Sequence, residues 1–187
     1  ALEVDIAAGI IPDQIGVFRN GGLYFDANGG RYWTAGDTTG WFGTTGDLPV
    51  AGDWDGDGKD EIAVFRNGGW YFDANGDGYW STGDATGWFG ATGDMPAAGD
   101  WDGDGKDEIA VFRNGGWYFD ANGDGYWTEG DTTGWFGATG DLPSAGDWDG
   151  DGKDEIAVFR NGGWYFDADG DGYWSAGDAT GWFGAGG

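Results

Sequence analysis

A repeat of 47 residues runs along this sequence and constrains its fold more than any other feature. The string IAVFRNGGWYFD begins at Ile62, Ile109 and Ile156, and the related string IGVFRNGGLYFD begins at Ile15. Four copies at this spacing account for the 187 residues and leave no room for a linker or a second domain. The sequence therefore predicts a single repeat domain over 1–187, with units at about 1–47, 48–94, 95–141 and 142–187.

The first copy differs from the other three. Where they read GDWDGDGKDE, it reads DIAAGIIPDQ over residues 5–14. Terminal repeats of stacked arrays are often atypical because they cap the array. The first copy is therefore interpreted either as a capping unit or as the seam at which a ring of units closes.

Short β-type segments alternate with turn sequences inside each copy. In the second copy, β-branched and aromatic residues predict strands over 49–52, 61–66, 70–72 and 79–81. Asn-Gly sequences at 67–69 and 75–78 predict tight turns, and 87–90 closes the copy. No segment has the 3.6-residue period of a helix. The chain is therefore predicted to be all-β, a β-propeller of four 47-residue blades with four short antiparallel strands each, and a β-solenoid is the alternative.

Aromatic residues are abundant, with 14 Trp, 12 Phe and 8 Tyr. Blades pack face to face, so each blade needs bulky side chains on both of its surfaces. The aromatic residues of the second copy are accordingly interpreted as packing between blades, with a sugar-stacking platform as the alternative. They are Phe65, Trp70, Phe72, Trp80, Trp88 and Phe89.

The charge and the missing residue types narrow the possible functions. Asp and Glu number 34 against 8 Lys and Arg, a formal net charge of −26, which argues against nucleic acid and anionic membranes as partners. Without Cys or His, the chain lacks disulfides, the usual zinc ligands and Ser-His-Asp chemistry. No apolar run is long enough to span a membrane, and no signal peptide is visible in this sequence. Almost every acid recurs in register, whereas an active site needs differing environments, so we expect no enzyme.

A nine-residue acidic sequence, DWDGDGKDE, occurs unchanged at 53–61, 100–108 and 147–155. Side-chain oxygens fall at its first, third, fifth and ninth positions. Gly at the sixth position allows a sharp turn, and the residue at the seventh can offer its backbone carbonyl. This pattern is that of the first half of an EF-hand loop. Carboxylates about 5 Å apart repel by about 3 kcal/mol per pair at an effective dielectric of 20. The pattern therefore predicts a cation, and a flexible all-oxygen loop favours Ca²⁺ over Zn²⁺ or Mg²⁺.

The segment 88–112, WFGATGDMPAAGDWDGDGKDEIAVF, resembles the FG-GAP repeat. This repeat is the blade unit of integrin α-subunit propellers and of VCBS-type repeats in secreted microbial proteins. The resemblance implies a propeller with calcium in the hairpin between the first two strands of a blade. The family usually has Asp at the ninth position, so Asp60, one residue earlier, is a second candidate for that ligand. The ligands that the resemblance implies are Asp53, Asp55, Asp57, Lys59 (carbonyl) and Glu61; Asp100, Asp102, Asp104, Lys106 and Glu108; and Asp147, Asp149, Asp151, Lys153 and Glu155.

A second acidic sequence follows in each of these copies. Its oxygen-bearing side chains and its Gly at the sixth position fit a second calcium loop, but Asn-Gly and Asp-Gly are also hairpin turn signals, so a plain turn is the alternative. Copy 1 has Gly30 where the others have an acid. The candidates are Asp73, Asn75, Asp77 and Asp84; Asp120, Asn122, Asp124 and Asp131; and Asp167, Asp169, Asp171 and Asp178.

Together these features predict a calcium-binding extracellular propeller that acts as a binding or adhesion module, with structural calcium and a protein or carbohydrate ligand. A lectin with repeated shallow sugar sites is one alternative, and a purely architectural, self-assembling repeat is another. Four blades make a small ring, so two chains could also complete a larger one as a homo-oligomer. Extracellular calcium, at millimolar concentration, can fill weak sites.

Overall fold

A computed structural model describes residues 15–184 of the protein, and these residues form fifteen short strands. The strands are β1 (Gly16–Arg19), β2 (Gly22–Phe25), β3 (Thr38–Trp41), β4 (Leu48–Gly52), β5 (Glu61–Arg66), β6 (Gly69–Phe72), β7 (Ala85–Trp88), β8 (Met95–Gly99), β9 (Glu108–Arg113), β10 (Gly116–Phe119), β11 (Thr132–Trp135), β12 (Leu142–Gly146), β13 (Glu155–Arg160), β14 (Gly163–Phe166) and β15 (Ala179–Trp182). The described part of the chain contains no helix.

The strands form four antiparallel sheets arranged as the blades of a β-propeller, which confirms the predicted fold class. Blade 1 holds β1 to β3, and the following blades hold β4 to β7, β8 to β11 and β12 to β15, each strand paired with its neighbour in sequence. The first strands of blades 2, 3 and 4 contact one another in order. The diverged segment 5–14 lies outside the described residues.

One predicted strand is wrong. The 79–81 segment forms no strand, and the outer strand of blade 2 is instead β7, paired with β6. The reason is that neighbouring aspartates take the backbone donors of this segment: Tyr79 N donates to Asp77 Oδ1, and Ser81 N donates to Asp84 Oδ2. Such local side-chain hydrogen bonds compete with a strand ladder. Tyr79 keeps a single bridge, to Trp41 of the preceding blade.

The hydrophobic core lies between blades. Strand β5 is buried on both faces: Val64 packs with Leu23 and Phe42 of blade 1, whereas Phe65 belongs to a cluster that reaches Val111 of blade 3. Strand β9 repeats this arrangement between blades 2 and 4. Each blade is therefore stabilised by its neighbours, and burying a side chain such as Phe65 contributes about 1.5–3 kcal/mol.

The aromatic residues confirm the packing interpretation only in part. Trp70 is fully buried and its Nε1 donates to the Phe89 carbonyl at 2.9 Å. Phe89 is 1% exposed because Trp127 of blade 3 covers it, with ring centroids 5.6 Å apart. By contrast, Trp80 and Trp88 are 55% and 60% exposed. The repeated tryptophans at these two positions therefore cover buried rings or line the surface rather than fill the core.

Adjacent blades approach so closely at one point that only glycine fits. Trp88 N donates to the Gly125 carbonyl of blade 3 at 2.7 Å. A Cβ on Gly87 would lie 2.6 Å from that same carbonyl oxygen. The equivalent contacts, Trp41 N to Gly78 O and Trp135 N to Gly172 O, have the same length, so the three junctions are built alike.

A repeated ion pair lies beside the Asn-Gly turn of blades 2, 3 and 4. Arg113 donates from Nε and Nη2 to the two carboxylate oxygens of Asp94, at 2.5 and 2.6 Å, and its guanidinium lies over the Tyr118 ring. The Asp94 side chain is 1% exposed and that of Arg113 is 40% exposed. Blades 2 and 4 carry the same pair. Bidentate geometry of this kind fixes the link between blades to the second strand of the next blade.

Candidate metal centre

The first acidic loops, residues 53–60, 100–107 and 147–154, join the first and second strands of blades 2, 3 and 4. Their leading aspartate organises the turn. In blade 4, Asp147 Oδ1 accepts hydrogen bonds from Gly150 N and Asp151 N, and Oδ2 accepts one from Gly152 N. Asp149 Oδ1 accepts from Asp151 N in turn. Gly150 and Gly152 have φ values of 85° and 93°, which glycine adopts without strain.

This winding brings carboxylates together at one place. In blade 4, Asp147, Asp149, Asp151 and Glu155 each offer an oxygen, and these oxygens all lie within 4.8 Å of one another. Three residues meet the same criterion in blade 2 (Asp53, Asp55, Asp57) and three in blade 3 (Asp100, Asp102, Glu108). The structure thus gathers the whole predicted carboxylate set in blade 4, and all of it but Glu61 in blade 2 and Asp104 in blade 3.

The glutamate at the ninth position begins the second strand, and in blades 3 and 4 it is the most buried member of the set. Burial, followed by the charge of Asp102, raises the pKa of Glu108 to about 8. Burial likewise raises the pKa of Glu61 and that of Glu155 to about 7. Glu61 Oε2 is buried and has no hydrogen-bond partner among the described residues. A positive ion beside these glutamates would favour their charged form and so lower each pKa.

The aspartate at the eighth position joins blades in blades 3 and 4, whereas coordination by Asp60, the second candidate for the ninth position in blade 2, stays a prediction. Asp107 Oδ2 accepts a hydrogen bond from Asp53 N at 2.9 Å, and Asp107 N donates to the Asp53 carbonyl at 3.0 Å. Asp154 and Asp100 repeat this pair one blade further on. The sequence could not show this role because both hydrogen bonds cross from one blade to the next.

The lysines at the seventh position use their side chains in two ways. Lys59 Nζ lies 2.7 Å from Asp57 Oδ2 and is exposed. Lys106 and Lys153 reach back over the first acidic loop of the preceding blade, where a Cβ on Gly56 or Gly103 would lie 3.1 Å from their side chains. Coordination by the carbonyls of Lys59, Lys106 and Lys153 stays a prediction.

The second acidic loops, residues 73–84, 120–131 and 167–178, join the third and fourth strands of the same blades. They lie beside the first loops, since a Cβ on Gly76 would be 3.4 Å from Glu61 Cγ. The leading aspartates are buried, and Asp73 Oδ2 accepts from Gly78 N at 2.7 Å. Burial raises the pKa of Asp73 above its usual range, and raises the pKa of Asp120 and Asp167 to about 6.

The residue at the third position of the second loop contacts the last aspartate of that loop in blades 1 and 2. In blade 2, the Asn75 amide donates to Asp84 Oδ1 at 3.2 Å and to Ser81 Oγ at 2.8 Å. In blade 1, Asn28 donates to Asp37 Oδ1 at 2.7 Å. In each of these two loops, a partly positive amide hydrogen thus contacts the carboxylate of the last aspartate. Asn75, predicted as a possible ligand, contributes its nitrogen to the acids, while its oxygen accepts from Asp77 N.

Blades 3 and 4 lack this amide contact. Asn122 donates to Thr128 Oγ1 and the Glu129 carbonyl. In blade 4 the residue is Asp169, which gathers with Asp167 and Asp178 within 4.8 Å. The remaining predicted residues, Asp77, Asp124 and Asp171, accept hydrogen bonds from Tyr79 N, Tyr126 N and Tyr173 N.

These arrangements place groups of carboxylates that can hold a hard cation at the end of the blade where the acidic loops lie. Comparisons of the chain with protein-family models, with curated proteins and with solved structures find no match. Within residues 15–184, no helix has both the length and the apolar character needed to cross a bilayer.

Proposed function

We propose that this protein is a calcium-stabilised β-propeller of the FG-GAP type that works outside the cell as a non-catalytic binding or adhesion module. The observation that carries the proposal is the convergence of Asp147, Asp149, Asp151 and Glu155 on one point. Carboxylate oxygens in a flexible loop are the ligands that Ca²⁺ prefers. With a formal charge of −26, the chain also gains from any bound cation through reduced self-repulsion.

The partner surface would lie away from the acidic end. Both sets of acidic loops occupy one end of blades 2, 3 and 4, whereas the tight turns at Asn67-Gly68 and Asn114-Gly115 and the links between blades lie at the other. Calcium would then be structural, holding the hairpins while the opposite end meets a protein or a glycan. Loops carried on a rigid sheet scaffold commonly supply such binding surfaces.

A lectin is the second candidate, and exposed tryptophans favour it. Trp41, Trp88 and Trp135 are each 60% exposed and recur once per blade, beside the bridge to the next blade. Flat exposed indole rings at repeated spacing could stack on sugars, and several weak sites would gain from multivalency. Binding to an immobilised glycan array that is lost in Trp88→Ala would favour the lectin, and an array without signal would favour a protein partner.

Calcium titration tests the proposed sites directly. We expect calorimetry to show at least three bound Ca²⁺ ions, one per first acidic loop, and to show one fewer in Asp149→Asn. Glu129→Gln is the control because it removes the same charge from an exposed residue outside both proposed ligand sets. An equal loss in both variants would mean that calcium responds only to overall charge, and the proposed sites would be wrong.

A further inference from the structure

The second acidic loop of blade 4 combines an acidic cluster with buried carboxylate oxygens that lack partners. Asp167 is 2% exposed, and its Oδ1 has no hydrogen-bond partner among residues 15–184. Asp178 Oδ1 is also buried without one. Leaving such a group unsatisfied costs about as much as its full desolvation. Blade 3 has the same two unpartnered oxygens, on Asp120 and Asp131, but among the second loops described here only that of blade 4 gathers a third carboxylate with them.

A comparison with blade 2 indicates what is missing in blade 4. In blade 2, the Asn75 amide donates to Asp84, and Asp73 Oδ1 accepts from Asp77 N at 3.2 Å, so both acids are satisfied. In blade 4 the asparagine is replaced by Asp169, whose Oδ2 accepts from Ser175 Oγ. The substitution removes a donor and adds a third carboxylate at the same place.

We propose that Asp167, Asp169 and Asp178 form a further divalent-cation site, specific to blade 4 and suited to Ca²⁺. The ion takes the place that the asparagine amide holds in blade 2. Each of the three carboxylates offers it one oxygen, a hard donor without nitrogen or sulfur. The first acidic loop supplies none of these ligands, so this site stands or falls independently of the proposed calcium loops.

Counting bound ions with CaCl₂ tests this site. We expect Asp178→Asn to lose one Ca²⁺ by calorimetry and native mass spectrometry, and the register-matched Asp84→Asn in blade 2 to lose none. Conversely, Asn75→Asp should gain one ion. Each variant keeps an acceptor oxygen, and its melting temperature in EDTA, compared with wild type, reports whether it folds.

The outcomes distinguish calcium binding by the first acidic loops from calcium binding by the second acidic loop of blade 4. If Asp149→Asn loses an ion while Asp178→Asn does not, the first loops bind calcium and the blade 4 site does not exist. If Asp178→Asn alone loses an ion, this site exists and the proposed calcium loops are wrong. An equal loss in Asp178→Asn and Asp84→Asn would also overturn the site, because it would show no dependence on Asp169.

A separate observation concerns the two end faces of the described blades. The phenylalanine that follows the last strand is 1% exposed in blades 1, 2 and 3, where the next blade covers it, but Phe183 of blade 4 is 86% exposed. At the other end, Tyr32 of blade 1 is 81% exposed, whereas its equivalents Tyr79, Tyr126 and Tyr173 are 48–51% exposed. Each end therefore presents one side of the kind of junction that joins blade 1 to blade 2, blade 2 to blade 3 and blade 3 to blade 4.

Two contacts of the complete junctions have counterparts at the two ends, although copy 1 has Arg31 where the complete junctions have Gly78, Gly125 and Gly172. In the complete junctions a phenylalanine meets a tryptophan of the next blade, as Phe136 meets Trp174 at 5.7 Å. The corresponding residues at the ends are Phe183 and Trp33. Tyr79 Oη donates to the Thr39 carbonyl, and the corresponding pair is Tyr32 and Thr180.

From this match we infer that a second copy of this chain docks head to tail, its blade 1 covering blade 4 of the first. Such an interface is heterologous, so it closes into a ring or continues into a longer array. The occupant is a copy of this chain because the surface that blade 4 needs is the one that blade 1 presents. The contacts matched at the two ends are apolar and hydrogen-bonded, whereas the lysines that reach over the preceding blade in complete junctions, Lys106 and Lys153, have Pro12 as their counterpart in copy 1.

Sedimentation analysis in calcium and physiological salt tests the docking. We expect concentration-dependent association of wild type, lost in Phe183→Asp and in Tyr32→Asp, but kept in Thr92→Asp, which adds the same charge to an exposed link between blades. A mixture of the first two variants should form dimers and nothing larger, since only one intact junction is possible. This result would exclude a tail-to-tail dimer, in which Tyr32→Asp would have no effect.

A monomeric wild type at every concentration would overturn the inference. If Phe183→Asp then lowered the melting temperature of that monomer, the two faces would meet within one chain. Association that survives both end-face variants would place the interface elsewhere and would overturn it equally.

Discussion

Removing calcium is expected to lower the melting temperature of this protein by at least about 10 °C. A ligand that binds only the folded state at 100 times its dissociation constant stabilises by about 2.7 kcal/mol per site. Three first acidic loops would together contribute about 8 kcal/mol, and each kcal/mol shifts the melting temperature by about 2–4 °C in a chain of this size. The shift is large because the apo loops keep several carboxylates within 4.8 Å.

Thermal melts in excess EDTA and in 2 mM CaCl₂ measure this effect, and equal concentrations of MgCl₂ and of NaCl at matched ionic strength are the controls. Screening by salt weakens exposed repulsions without filling a site. We therefore expect calcium to act far below the concentration at which sodium does. Equal melting temperatures in EDTA and in calcium would contradict structural calcium, even though the propeller fold would be unaffected.

The place of a strand or loop within its sheet could be predicted from the sequence wherever the contacts that fix it lie within one copy of the repeat. The 47-residue spacing and the alternation of β-type runs with Asn-Gly turns were sufficient for the blade architecture, and strand β5 lies where its β-branched run predicts. The first acidic loops also join the strands expected of them, because Asp and Gly at fixed positions wind this turn locally through contacts such as Asp147 with Gly150 and Gly152.

What the sequence could not reveal depends on contacts between copies or between loops. Asp107 is adjacent to a predicted ligand, and only its hydrogen bonds to Asp53 of another blade distinguish it. The 79–81 segment has strand-forming residues, but aspartate side chains take its backbone donors. Asn75 of blade 2 corresponds to Asp169 of blade 4, a difference that looks conservative in sequence. It matters because the residue at this position lies close to the last aspartate of the loop, Asp84 or Asp178.

The second large effect is expected from a single methyl group at the junction between blades. In Gly87→Ala the new Cβ would lie 2.6 Å from the Gly125 carbonyl oxygen and 3.1 Å from its Cα, both backbone atoms that cannot rotate away. Overpacking of this kind costs about 1–3 kcal/mol. Separating the blades also weakens the hydrogen bond from Trp88 N, worth about 1 kcal/mol. We expect the melting temperature to fall by about 5–15 °C.

The matched control is Gly181→Ala, in the same register of blade 4. There the nearest atom to an added Cβ is Phe166 Cε2, at 3.5 Å, which is an ordinary contact. Both variants change one strand glycine to alanine, so a difference between them isolates the approach of the neighbouring blade from the intrinsic preference of the residue. Comparable losses of stability would contradict this account of the junction.

If a second chain docks on blade 4 as inferred, Gly181→Ala should leave the melting temperature of the dilute monomer unchanged and still abolish self-association, because the docked copy would need the space that the methyl group fills.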